Sequence, residues 1–216
     1  MADGGGRVAL PEVRELLFAD LPPLTVIETF AAVPALHDLA QAAVREDEAG
    51  ARASLDRVLE GTTESRIRLQ AWSLARRVGI EPPPEGAQHV RGVVVDVGFD
   101  AGTDTLAGFE DGTARYLNQG GGGIVWETPD ETIGAAIQAL IAAGQAVAER
   151  SGPLDGPRPP VPPSGGASIW LLTDGGIHLG TGPFGALASD TLGGPVIGAA
   201  TELVRLLLER SQPAGG

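Results

Sequence analysis

From Pro11 to Gly79, apolar residues recur at intervals of three and four, the period of helices that bury one face. Leu36, Leu39, Ala40, Ala43 and Val44 form one stripe behind Pro34, and Ala51, Leu55, Val58 and Leu59 form another behind Glu46-Asp47-Glu48, closed by Gly61. The clearest stripe is Ile67, Ala71, Leu74, Ala75 and Val78. It has Glu64 in its first turn, Arg76 and Arg77 in its last and Gly79 just beyond, so each charge complements the helix dipole. A short element starting at Pro11 carries Val13, Leu16 and Leu17, and Pro22-Pro23 reads as its stop. These positions predict about four helices, followed by a run, Glu81-Pro82-Pro83-Pro84-Glu85-Gly86, that reads as an extended connector.

Beyond the connector the period falls to two. Val93, Val95, Val97 and Phe99 alternate with Val94, Asp96 and Gly98, as in a strand buried mainly on one face. Thr105–Glu110 and Thr113–Asn118 flank Asp111-Gly112, a pair that favours a type I′ hairpin, and Gly120–Gly123 reads as a hairpin tip before Ile124-Val125-Trp126-Glu127. Thr128-Pro129-Asp130-Glu131 predicts a capping box with Thr128 as N-cap, opening a long helix with Ile133, Ile137, Leu140, Ile141 and Gly144 on one face. A proline-rich run over Gly152–Gly166 leads to Ile169–Thr173, a turn at Asp174-Gly175, Ile177–Gly180 and a last helix opened by Pro195.

A shift of 63 positions carries Asp111-Gly112 onto Asp174-Gly175, and Ile133, Ile137, Leu140 and Ile141 onto Val196, Ala200, Leu203 and Val204. This predicts an internal hairpin-helix repeat in an α+β fold: an antiparallel sheet carrying two longer helices, with an N-terminal helical segment packed on it. Apolar residues fall on both sides of the first strand, with Val94, Leu106 and Leu117 read as sharing one side, so one pair of helices cannot cover both faces. The expected organisation is a helical segment over residues 1–80, a connector over 81–88, an α+β domain over 89–211 and a tail over 212–216, with front and back unfolding as one unit.

Composition narrows the chemistry. With no Cys and no Lys, the chain lacks thiol nucleophiles, Cys-ligated metal, Schiff-base lysines and the phosphate-loop lysine. Its formal charge of −13 and scattered arginines disfavour nucleic acid and anionic membranes as partners. The densest arginine cluster, Arg66, Arg68, Arg76 and Arg77, reads as a solvated helix face. The N-terminus shows no secretory pattern, and the aliphatic stretch Ile133–Val147 reads as too interrupted to span a bilayer; a cytoplasmic location is expected. Arginine as the only strong base, with abundant Ala, Gly and Pro, has the character of GC-rich bacterial coding. The stretches Thr63–Trp72 and Thr105–Asn118 resemble those of bacterial protein families with no assigned activity, a resemblance that brings no catalytic or binding residue with it.

No pair of His37, His89 and His178 has metal-ligand spacing, so neither a metal nor another cofactor is expected. Ser168 and Ser189 lack the strand-turn-helix setting of a nucleophile, and no catalytic residue is assigned. Under the repeat, Arg115 and His178 occupy equivalent positions, both read as facing away from the core, where with Asn118 they could meet an anionic ligand. Trp126 and Trp170 lie on short strands where a sheet face or edge could receive a partner protein. The leading expectation is a non-enzymatic interaction or adaptor module with a protein partner. The alternative is a small-molecule sensor or enzyme using the Arg115 and His178 face, and self-association is compatible with either.

Overall fold

The computed structural model describes residues 10–211. Five helices form the front: α1 (Leu10–Glu15), α2 (Pro23–Thr29), α3 (Pro34–Val44), α4 (Glu48–Gly61) and α5 (Ser65–Arg76). Pro23, read as a stop, instead begins α2, because its missing N–H and fixed φ suit the first helical turn. The same logic admits one turn, α6 (Pro84–Ala87), inside the connector that reads as wholly extended. The expected tail over 212–216 lies outside the described residues.

The back follows as β1 (Val90–Phe99), β2 (Gly102–Phe109), β3 (Ala114–Leu117), β4 (Gly123–Trp126), α7 (Glu131–Ala148), β5 (Gly166–Thr173), β6 (Gly176–Pro183), α8 (Phe184–Ser189) and α9 (Gly193–Ser211). The strands form one six-stranded sheet in the order β4-β3-β2-β1-β5-β6, with every pairing antiparallel, so the fold is α+β.

The N-cap of α7 is Asp130, not Thr128: the Asp130 carboxylate accepts from Ile133 N at 2.9 Å, and the helix starts two residues later than the capping-box pattern suggests. An aspartate three residues before an orphan N–H competes for the same capping role and carries the charge favoured there. Asp130→Ala should therefore cost about 1 kcal/mol in thermal or urea unfolding, while Thr128→Ala leaves stability unchanged. The reverse order would restore Thr128 as the cap.

Each sheet face has its own cover. On one, Val93, Val95, Leu106, Ile169 and Leu171 pack against Ile133, Ile137 and Leu140 of α7 and Val196, Leu203 and Leu207 of α9. Leu106 pairs with Val95 and so lies on this face, opposite to Val94. α7 approaches closely because Gly144 has no side chain: a Cβ there would stand 2.7 Å from Val93 Cγ2. Over 18 residues α7 has a mean hydropathy of 1.2, enough for a minimal membrane span, but its apolar stripe is buried in this core. On the other face Leu17, Phe18 and Leu69 of the front cover Val94, Ala107, Phe109, Trp170 and Leu172. The front helices also have a core of their own around Leu36, Leu39, Leu55, Ile67 and Leu74.

Polar ties fasten the two parts. Ser65 N donates to the Asp111 carboxylate at 2.8 Å while Asp111 N donates to Ser65 Oγ at 3.2 Å, so the β2–β3 turn caps α5. Arg76 donates to the Asp174 carbonyl across the two parts, while Arg68 donates within the front to the carbonyls of Leu59 and Thr62. The arginines expected on a solvated helix face are thus largely structural fasteners; Arg77 is the exposed one.

Candidate functional site

Arg115 and His178 do not share a face. His178 pairs with Leu171 and lies on the α7 side, 1% exposed; Arg115 pairs with Ala107 and lies on the front-helix side, 6% exposed. The cause is one residue of loop length. Around Asp111-Gly112, Phe109 N bonds Thr113 O and leaves three residues in the loop, with Gly112 at φ +85° and Asp111 not left-handed, whereas Thr173 pairs directly with Gly176 across two. The first turn is therefore a three-residue loop ending in a left-handed glycine, not type I′. A difference of one residue moves every later side chain to the opposite face, so positions equivalent in sequence are inverted in space.

Both side chains are engaged inside the fold. Arg115 donates to the Ala114 and Trp126 carbonyls and pairs with Glu127. His178 Nδ1 lies 2.9 Å from Ser151 Oγ, which itself donates to the Val147 carbonyl at 3.0 Å. With the single serine proton on that carbonyl, the imidazole is the donor and does not activate the hydroxyl. Burial pushes the His178 pKa below its ordinary value. As pH falls below about 6.5, the unfolded chain takes up a proton that the folded chain resists, so stability drops until the lower folded pKa is passed. Urea midpoints at pH of about 7.5 and about 5.5 should show a smaller acid-side loss in His178→Gln than in the parent chain. An equal loss would assign the acid sensitivity elsewhere.

Asn118 is occupied locally, its Oδ1 accepting from Gly120 N and Gly122 N at 2.9 and 3.0 Å. Trp170, read as a partner contact, is fully buried and donates through Nε1 to Asp96 at 2.8 Å. Trp126 is half-buried on β4, one of the two outer strands of the sheet, beside Val125, which is 64% exposed. Asp96 is itself fully buried and takes a double hydrogen bond from Arg14, at 3.2 and 2.6 Å, and another from Thr105 Oγ1 at 2.6 Å. Nearby, a larger cleft of about 760 Å³ is lined by prolines and aliphatic side chains together with Arg14, Glu15, Asp20 and Arg158, whose charges satisfy one another.

A second cleft, of about 600 Å³, is different in kind. Val97 of β1, Leu106 of β2 and Tyr116 of β3 form its floor, and Ile197 and Val204 of α9 one wall. Phe99 and Phe184 stand at its margin, 43% and 36% exposed. Its polar groups are few. The Tyr116 hydroxyl donates to Asp104 at 2.8 Å, Gln119 N donates to the other Asp104 oxygen at 2.8 Å, and Ser164 Oγ donates to Asp100 at 2.6 Å. Burial, with Asp104 alongside, pushes the Tyr116 phenol up to about 12, so it is a neutral donor at any physiological pH.

The alternating pattern reads Phe99 as part of the buried strand face, whereas it is 43% exposed. The available signal was the continuation of the alternating run to Phe99, past the end of the helix cover. Among the described residues no cluster of three or more His, Asp or Glu is placed to hold a metal ion. No family model matches the chain, and neither the curated proteins nor the solved structures provide a match.

Proposed function

We propose that this chain is a non-enzymatic protein-interaction module that receives a segment of a partner protein in the cleft between the sheet and α9. The observation that carries this reading is an apolar cleft of about 600 Å³ with Phe99 and Phe184 exposed at its margin, in a protein whose other large aromatic side chains are mostly buried. Exposed aromatic and aliphatic surface gathered in one concavity is what an interaction site presents. The groups with most chemical potential, Asp96, Arg91, Arg115 and His178, are held by neighbouring side chains, which supports a binding role over a catalytic one. The charge of −13 supports a protein partner over nucleic acid or an anionic membrane, and the lysine-free composition rich in Ala, Gly and Pro supports a bacterial source.

The test is site-specific photocrosslinking in the native host. A photoreactive residue at Phe99 or Phe184 should yield a discrete protein adduct, and one at Leu24, 63% exposed on the front helices, should not. Absence of any adduct from the cleft positions, or a small molecule that co-purifies in the cleft and blocks crosslinking, would overturn the reading.

A further inference from the structure

We infer that the segment seated in this cleft is a basic amphipathic helix, an inference that rests on the protein-interaction reading and narrows it to one kind of partner. The first support is the state of the backbone around the cleft. The floor residues Val97, Leu106 and Tyr116 each have ladder partners on both sides, and the stretch of β2 without a β3 partner near the cleft, Gly102–Asp104, is short, so little strand edge borders the cavity. An extended segment laid there would bring its own N–H and C=O groups against side chains that leave most of them unmet. A helix meets those needs internally and presents only side chains. The wall has the period of one: Ile197, Ala200, Thr201 and Val204 of α9 fall at the spacing of a single helix face, with Ile197 and Ala200 buried at its base and Thr201 and Val204 left to meet an incoming helix. The cavity has the size for about three apolar anchors spaced i, i+3 or i+4, and i+7.

The second support is charge. Among the residues lining the cleft, the charged side chains are Asp100 and Asp104, and neither arginine nor histidine is among them. Asp100 is exposed and Asp104 half-exposed. Each accepts only one or two hydrogen bonds within the fold, from Ser164 in one case and from Tyr116 and Gln119 in the other. A carboxylate has about four acceptor positions, so each can still take a guanidinium or ammonium donor at the cleft mouth. The overall charge of −13 adds long-range attraction for a cationic segment.

The probes are three synthetic peptides about four helical turns long with one shared leucine pattern, their polar positions filled with Arg, Gln or Glu. Each is titrated into the full chain and followed by backbone amide shifts. The Arg peptide should perturb Val97, Leu106, Tyr116 and Val204, bind about tenfold more tightly than the Gln peptide, gain helicity on binding and weaken as salt is raised. Asp100→Asn and Asp104→Asn should each move its affinity towards that of the Gln peptide; Asp100 is the safer variant because it is exposed. Equal binding of the Arg and Gln peptides in the cleft would overturn the basic partner and leave the cleft as an interaction site. Shifts centred on Gly123–Trp126 would mean that a strand adds to the sheet edge, and would overturn the helix. If no peptide perturbs the cleft, the inference fails; the wider reading fails with it only if crosslinking from Phe99 and Phe184 fails as well.

Discussion

A fragment from His89 to Ser211 should have no cooperative thermal transition, although it contains every strand of the sheet, while the full chain should unfold in a single transition. Without the front helices, Trp170, Phe109, Val94 and Leu172, each 1% exposed or less in the intact fold, would face water. At about 1.5–3 kcal/mol for each such side chain, the loss is comparable with the whole margin of about 5–15 kcal/mol that keeps an ordinary domain folded. Polar ties point the same way, since Ser65, Arg14 and Arg76 in the front satisfy Asp111, Asp96 and the Asp174 carbonyl in the back. Calorimetry decides. Two resolved transitions, each preserved in its isolated fragment, would show two independent domains.

Asp96→Ala should be among the most damaging single substitutions, with a loss of about 3–5 kcal/mol in denaturant unfolding. Asp96 is completely buried, and its two oxygens serve Arg14, Thr105 and Trp170 together. Alanine would leave an arginine only 12% exposed without its counter-charge and a buried indole N–H without its acceptor. Asp96→Asn keeps an acceptor for Trp170 and should cost less. A loss below about 1 kcal/mol for Asp96→Ala would mean that water or another group replaces the carboxylate.

Much of the architecture was legible because it rests on local periodicity. The stripes of α3, α4, α5 and α7, the alternation of β1 and the turn at Asp111-Gly112 depend on neighbours a few residues away. Legibility ended where the outcome depends on competition between adjacent candidates, as with Asp130 over Thr128, or on a proline that can either end a helix or begin one, as at Pro23. It ended again where one residue of loop length decides a face. The chain offers the same Asp-Gly pair twice, but the number of loop residues each hairpin takes is set by the pairing around it, and that number separates Arg115 from His178. The cleft was hidden for another reason: a strand position reads as core whenever it is apolar, and only the limits of the helix cover show that Phe99 runs past it.

The reciprocal bonds between Ser65 and Asp111 also have a consequence for the order of folding. The cap of α5 comes from a turn 46 residues further along the chain, so that helix has its N-terminal partner only after the β2–β3 hairpin exists. Hairpins close in microseconds, and contacts between distant segments form later. The sequence of events that follows is hairpin first and capped helix second. Asp111→Ala would remove the α5 cap together with the turn's own bonds to Thr113, whereas Ser65→Ala keeps the residue-65 N–H on the Asp111 carboxylate and removes only the hydroxyl that accepts from Asp111 N. Ser65→Ala should therefore speed unfolding and leave the folding rate nearly unchanged, and slower folding in that variant would mean that the helix docks in the rate-limiting step.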